Sequence, residues 1–372
     1  MDNRERFRTT MKFNPTDQPC HLEYGFWQDT YTRWRKEGLP TEIIYNTDIF
    51  HHTSGPDLFD YFGITKFAYM RVEQYYVPPF EPQVLDENPE YRLIRDQRGV
   101  LLREKVGNVS MPQFLEYPIK TRQDYHALKE RLLGSPEQRF PAYWDEQVRF
   151  VRNQQERIVG VHLDGFFAYP RELMGVERLL YTYYDDPELI QEIINDRVEA
   201  NIQLYERVIE ETRPDFAFIW EDMCYKNGPL ISPAMFRKFM LPAYQKLTGF
   251  IKKMGVETII VDSDGDISQL IPLWIEGGVT CLLPFEVKAG MDVTHFRKQY
   301  PKLQIIGGIE KHALEHNQNN IDSELERVLP VMLPQGGYCV GLDHWVHSEI
   351  PLENFTYYVE RVRKYSCERT DL

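Results

Sequence analysis

The sequence predicts an α/β fold: a (β/α)8 TIM barrel with an N-terminal elaboration containing a β-hairpin, built as one domain over residues 1–372. Three observations carry that expectation. Short apolar, β-branched runs alternate with stretches of helical period from residue 157 onward, the grammar of repeated strand–helix units. The runs are too uniformly apolar to be half-exposed, so they read as parallel strands buried on both faces. No GxGxxG follows the first run and no GxxxxGK[ST] occurs anywhere, which disfavours dinucleotide-binding and P-loop sheets and leaves the barrel.

Taken in order, residues 2–13 read as an amphipathic helix. HLEYGFW (21–27) reads as the first barrel strand, and DTYTRWRKEGL (29–39) as a helix closed by Gly38. The Pro-rich YVPPFEP (76–82) is a linker. EYRLIRDQRGVLLREKV (90–106) is two alternating runs around Asp96-Gln97-Arg98-Gly99, a hairpin signal. These belong to an N-terminal part, 1–156, holding the insertion. The regular part, 157–372, has strands at 157–163, 215–220, 257–262, 279–285, 303–309 and 337–342. Helices are expected at 173–183, 187–212, 233–254, 266–277, 291–299, 322–333 and 352–366. Pro187, Pro233 and Pro351 stand near helix starts, where a missing N–H costs little.

The composition restricts function. The chain has 372 residues, 42% hydrophobic, with 57 acidic against 43 basic side chains for a net charge of −14. An aromatic-rich chain of this kind folds, and its negative field repels phosphate backbones and anionic lipid, so no nucleic-acid or membrane partner is expected. Nor is there a run of ~18 apolar residues. The first residues, MDNRERFRTTMKF, lack the apolar core of a signal peptide. Five widely spaced cysteines without a CxxC suggest buried thiols. A cytoplasmic protein is the expectation.

Barrel active sites form at the C-terminal strand ends, and here polar residues follow strand after strand: His162 and Asp164; Trp220, Glu221 and Asp222; Asp262 and Asp264; Glu286; Glu310 and Lys311; Asp343, His344 and His347. Asp262 and Asp264, two apart, leave an extended strand on one side. With His344, and Glu221 as a fourth group, they make a divalent-metal constellation. The same acidic residues precede a helix, so capping is the competing reading. Glu286 reads as an ion-pair partner of Lys288 or Lys311, and Trp220 and Phe166 as either core or substrate wall.

The stretches GFFAYPRELMGVERLLYTYYDDPELI (165–190), WEDMCYKNGPLISPAMFRKFMLPAYQKL (220–247), VDSDGDISQLIPLWIEGGVTCLLPFE (261–286), IIGGIEKHAL (305–314) and PLENF (351–355) resemble the uroporphyrinogen decarboxylase-like superfamily. It includes the decarboxylase of haem synthesis and the corrinoid- and coenzyme M-dependent methyltransferases. FW…RW…EGLP (26–40) and YFGI (61–64) are similar to uncharacterised members. Where the decarboxylases carry WxMRQAGR, this chain has LEYGFWQDTY (22–31), without arginine. The methyltransferases use a zinc site of the form His-x-Cys…Cys. The resemblance puts Asp262, Asp264 and His344 at those three positions, each replaced by another residue able to hold a metal, Zn²⁺ foremost.

On that basis the expected activity is transfer of a methyl group from a small methoxylated donor, aromatic ones included, to a corrinoid carried by a partner protein. Glu221, Asp222 or His162 would supply the proton to the departing oxygen. Trp220, Phe166, Trp27, His347 and Lys311 would contact substrate, with Tyr24, Phe26 and Trp34 as further aromatic wall. Two alternatives stand beside it: a metal-assisted decarboxylase or lyase whose acid is received by Lys311 or His347, and a non-enzymatic barrel that only binds.

Overall fold

The computed structural model describes residues 1–45, 56–106 and 111–365. At its centre a curled parallel sheet runs through Lys66–Met70, Arg157–Asp164, Phe216–Trp220, Thr258–Asp262, Cys281–Leu283, Gln304–Ile306 and Tyr338–Cys339, neighbours in space in the order of the chain. This is a mixed α/β, TIM-like fold. The segment Cys20–Leu22 reaches toward both edges: the His21 carbonyl accepts the Thr65 N–H at 3.1 Å, the Leu22 N–H donates to the Val340 carbonyl at 2.8 Å, and the Val340 N–H donates to the Cys20 carbonyl at 2.8 Å.

Strand alternation separates two cores. Ile158, Phe216, Phe218, Ile260, Leu283 and Ile306 point inward as one cluster. Their neighbours, among them Val159, Val161, Ala217 and Val261, meet the helices outside. Inside, Gly160 stands in register with Phe216, where a Cβ would come within 2.3 Å of the phenylalanine ring. The missing side chain is what admits the ring. The helix Asn3–Met11 packs at the opposite end from the strand-end loops: Phe7 meets Phe216 edge-on at 5.7 Å, and buried Arg4 pairs with buried Asp215 at 3.0 Å.

Three expectations change. The stretch 21–27 is not a continuous strand; it touches 340–346 by bridges at His21 and Phe26. Between them the Glu23 carboxylate accepts the Leu342 N–H (3.1 Å) that a ladder would use. The regular strand comes later, at Lys66–Met70, which the apolar pattern did not mark. The helix expected over 233–254 is Pro233–Met235, a π-turn at Phe236–Met240, and Leu241–Lys253. Pro242 has no N–H for the ladder, and the wider turn absorbs the gap.

In the N-terminal part, Gln83–Glu87, Tyr91–Arg95, Leu101–Lys105 and Gln113–Glu116 form an antiparallel sheet in chain order. Asp96 shapes the second turn by accepting the Arg98 and Val100 N–H groups at 2.9 and 2.8 Å. Among the described residues no helix is long and apolar enough to cross a membrane.

Candidate metal centre at the strand ends

The loops after Thr258–Asp262, Cys281–Leu283 and Tyr338–Cys339 bring Asp264, Glu286 and His344 together, with one ligand atom of each within 4.8 Å of the others. His344 Nε2 lies 3.4 Å from Asp264 Oδ2. Gly265, at φ +78°, makes the turn, and a Cβ there would strike the Tyr225 backbone at 2.7 Å. Its N–H donates to Glu286 Oε2 at 2.8 Å, in place of the lysine partners expected of Glu286. Burial, and then Asp264, raise the Glu286 carboxyl above its ordinary range. Two carboxylates and an imidazole facing one point suit a hard-to-borderline divalent cation, and three ligands leave positions open.

Two of the four residues expected as ligands stand apart from that trio. Asp262 sits one step down inside the barrel, 4% exposed, and accepts the Tyr24 hydroxyl. Burial and Asp264 push its carboxyl well above the usual range. Glu221 is fully buried and saturated. One oxygen accepts the Phe166 N–H (2.9 Å) and the other those of Phe167 and Ala168 (2.8 and 3.1 Å), and the Tyr244 hydroxyl donates to the first. Gly165 is what lets Glu221 approach, for a Cβ there would fall 2.1 Å from its carboxyl carbon. Glu221 therefore holds the start of the next helix. Of the acidic run, Asp266 makes the local turn, accepting the Ser268 N–H at 3.0 Å.

The other expected residues divide between mouth and core. His162 lies against Phe218 (ring centroids 5.2 Å apart, 22°) and is lowered from its ordinary pKa by burial, with Asp164 opposing. Asp222, at φ +43°, accepts Arg171 Nη1 at 3.0 Å, and the same guanidinium covers the Trp220 ring at 4.7 Å. Phe166 is wholly buried against Tyr244. Phe26 and Trp34 also belong to the outer core, Trp34 donating to the Ile350 carbonyl. Tyr24 and Trp27 instead flank Trp345, at 6.0 and 4.9 Å between ring centroids, so an aromatic wall stands immediately after His344. Lys311 and His347 are half-buried. His347 Nε2 lies 3.2 Å from Glu315.

Sequence reasoning missed Glu286 as a cluster member, Trp345 as part of the wall, and Asp343 as a tie between loops. Asp343 accepts the N–H groups of Val287 and Lys311, both at 3.0 Å. Glu286 was legible as a strand-end acid; the other two had no signal beyond position.

The sequence profile of the family described as Uroporphyrinogen decarboxylase (URO-D) matches residues 100–365. The chain belongs to the URO-D family. A uroporphyrinogen decarboxylase of Syntrophotalea carbinolica is 24% identical over 266 residues, covering 67% of this chain and 71% of the relative. Among solved structures, a methyltransferase from Methanosarcina mazei superposes with a TM-score of 0.63 at 13% identity, covering 97% of this chain and 98% of that one. At that identity the likeness is one of fold. This URO-D family member thus shares a methyltransferase's architecture over nearly its whole length.

Proposed function

We propose that the protein is a metal-dependent methyltransferase that takes the methyl group of a small, methoxylated, preferably aromatic donor and passes it to a corrinoid carried by a partner protein. The observation that supports this most directly is the Asp264–Glu286–His344 trio beside the Tyr24–Trp27–Trp345 wall. Those three residues would hold the metal, in place of the set with Asp262 and Glu221 that the sequence suggested. When bound, a divalent cation in an oxygen-rich site supplies Lewis acidity toward a donor oxygen.

The chain's own groups do the rest. Trp27 and Trp345 offer flat apolar faces to an aromatic donor and keep water from the methyl group. Trp220, pinned under Arg171, faces the mouth from the neighbouring strand end. Asp222 and His162 are the proton-handling groups for the departing oxygen. Glu221 leaves that role because both its oxygens are spent on backbone N–H groups.

The test has two arms. After loading with Zn²⁺ or Fe²⁺ and dialysis, Asp264→Ala, Glu286→Gln and His344→Ala should each lose one metal equivalent per chain relative to wild type, and Asp262→Asn should lose none. The metal-loaded protein should then methylate reduced cobalamin from a methoxybenzoate or similar donor. Retention of all metal by the three variants, or absence of methyl transfer across a panel of methoxylated donors, overturns the proposal.

A further inference from the structure

We infer that His312, Glu315 and His347 form a second divalent-cation site, of a donor set suited to Zn²⁺, at the strand-end face and separate from the Asp264–Glu286–His344 trio. One ligand atom of each of the three lies within 4.8 Å of the others. Lys311–Glu315 is a 3₁₀ turn, and with three residues per turn the side chains at i and i+3 eclipse. His312 and Glu315 are therefore stacked on one face as a direct consequence of the helix type; an α-turn would separate them by 60°. His347 comes from the loop after the last strand, and its ring meets His312 edge-on at 5.4 Å.

Two ring nitrogens converge on one carboxylate oxygen. His312 Nδ1 contacts Glu315 Oε1, and His347 Nε2 lies 3.2 Å from the same atom. The second approach is not a hydrogen bond: His347 Nε2 is shielded from solvent and has no hydrogen-bond partner among the described residues. A hydrogen-bonded His–Glu–His cluster would align both rings on lone pairs of the carboxylate, and a shielded nitrogen close to a carboxylate but without a hydrogen bond calls for an explanation. A cation seated among the three atoms uses that nitrogen as a ligand. Two imidazoles and one carboxylate match a common zinc donor set, and three protein ligands leave a position for water or a substrate oxygen. Around the trio, Lys311 opposes a bound cation and Glu349 favours it.

Asp343 couples the two places mechanically. One of its oxygens holds Lys311 N–H, next to His312, and the other holds Val287 N–H, next to Glu286. A metal at the second site would tie the Lys311–Glu315 turn to the loop carrying His344 and His347, stiffening the mouth around the first.

The experiment counts zinc. Wild type, Asp264→Ala, His347→Ala, Glu315→Gln and the double variant Asp264→Ala/His347→Ala are loaded with Zn²⁺, dialysed and analysed for metal. Circular dichroism selects the variants that fold, and d–d absorption of Co²⁺-substituted protein is read in parallel. Expected are two equivalents in wild type, one in each single variant and none in the double. One equivalent in wild type that survives Asp264→Ala but not His347→Ala or Glu315→Gln would support this site while removing the metal from the proposed methyl-transfer centre. Unchanged stoichiometry and unchanged Co²⁺ spectra in both His347→Ala and Glu315→Gln overturn it.

Discussion

The Asp343 carboxylate holds the backbone N–H of Lys311 at 3.0 Å, and its second oxygen holds that of Val287 at the same distance. The carboxyl is 1% exposed and raised by burial against these stabilising bonds. It therefore ties together two strand-end loops whose parent strands already pair in parallel. Removing it strands two backbone donors, each at a cost of ~1–3 kcal/mol. Asp343→Ala should lower stability by about 3 kcal/mol in urea titration and also weaken metal binding, although Asp343 is in neither cluster.

Glu221 gives the opposite combination. Its three backbone N–H bonds and the Tyr244 hydroxyl start the helix Ala168–Met174. Glu221→Ala should destabilise the fold by about 3–5 kcal/mol, while metal stoichiometry in the folded fraction stays at the wild-type value. Paired denaturant titration and metal analysis measure both.

His162 provides a pH dependence. Its folded-state pKa is depressed by burial, so protonation favours the unfolded chain. Its contribution is fully present above about 6.5, the ordinary histidine value, and is lost as pH falls through the folded value. Wild type should lose stability relative to His162→Phe as pH drops below that point. Parallel stability–pH curves for the two proteins would contradict this.

Porphyrinogen decarboxylation should be absent. The stretch 22–31 has no arginine, and Arg171 at the mouth is engaged by Asp222. Incubation of purified protein with uroporphyrinogen should yield no product with fewer carboxylates by chromatography; its appearance would overturn the expectation.

The fragment 157–372 should fail to fold alone. It loses the Lys66–Met70 strand, paired in register with Arg157–Val161, and it leaves buried Asp215 without Arg4. Near-ultraviolet circular dichroism of the fragment should lack tertiary signal, whereas the full chain should melt in one transition.

The parallel sheet was legible from residue 157 because a strand buried on both faces must be apolar at every position, a constraint that leaves its mark locally. The strand Lys66–Met70 carried no such mark: KFAYM is short and mixed, and only its edge position beside Arg157–Val161 makes it a strand. The site divides in the same way. That Asp264 and His344 share one mouth was legible because barrel topology gathers strand-end polar residues there, whatever lies between them in sequence. Which acid lies beside them was not. Asp262 and Asp264 share strand parity, yet Asp262 ends inside the barrel under Tyr24 while the Gly265 turn carries Glu286 to Asp264. Glu221 has a ligand's position in the sequence, but in the fold its oxygens accept three backbone N–H bonds. A carboxylate's role depends on which donors reach it in space, and those come from segments tens to hundreds of residues away. Periodicity is a property of the chain; the partners of a buried charge exist only once the chain has folded.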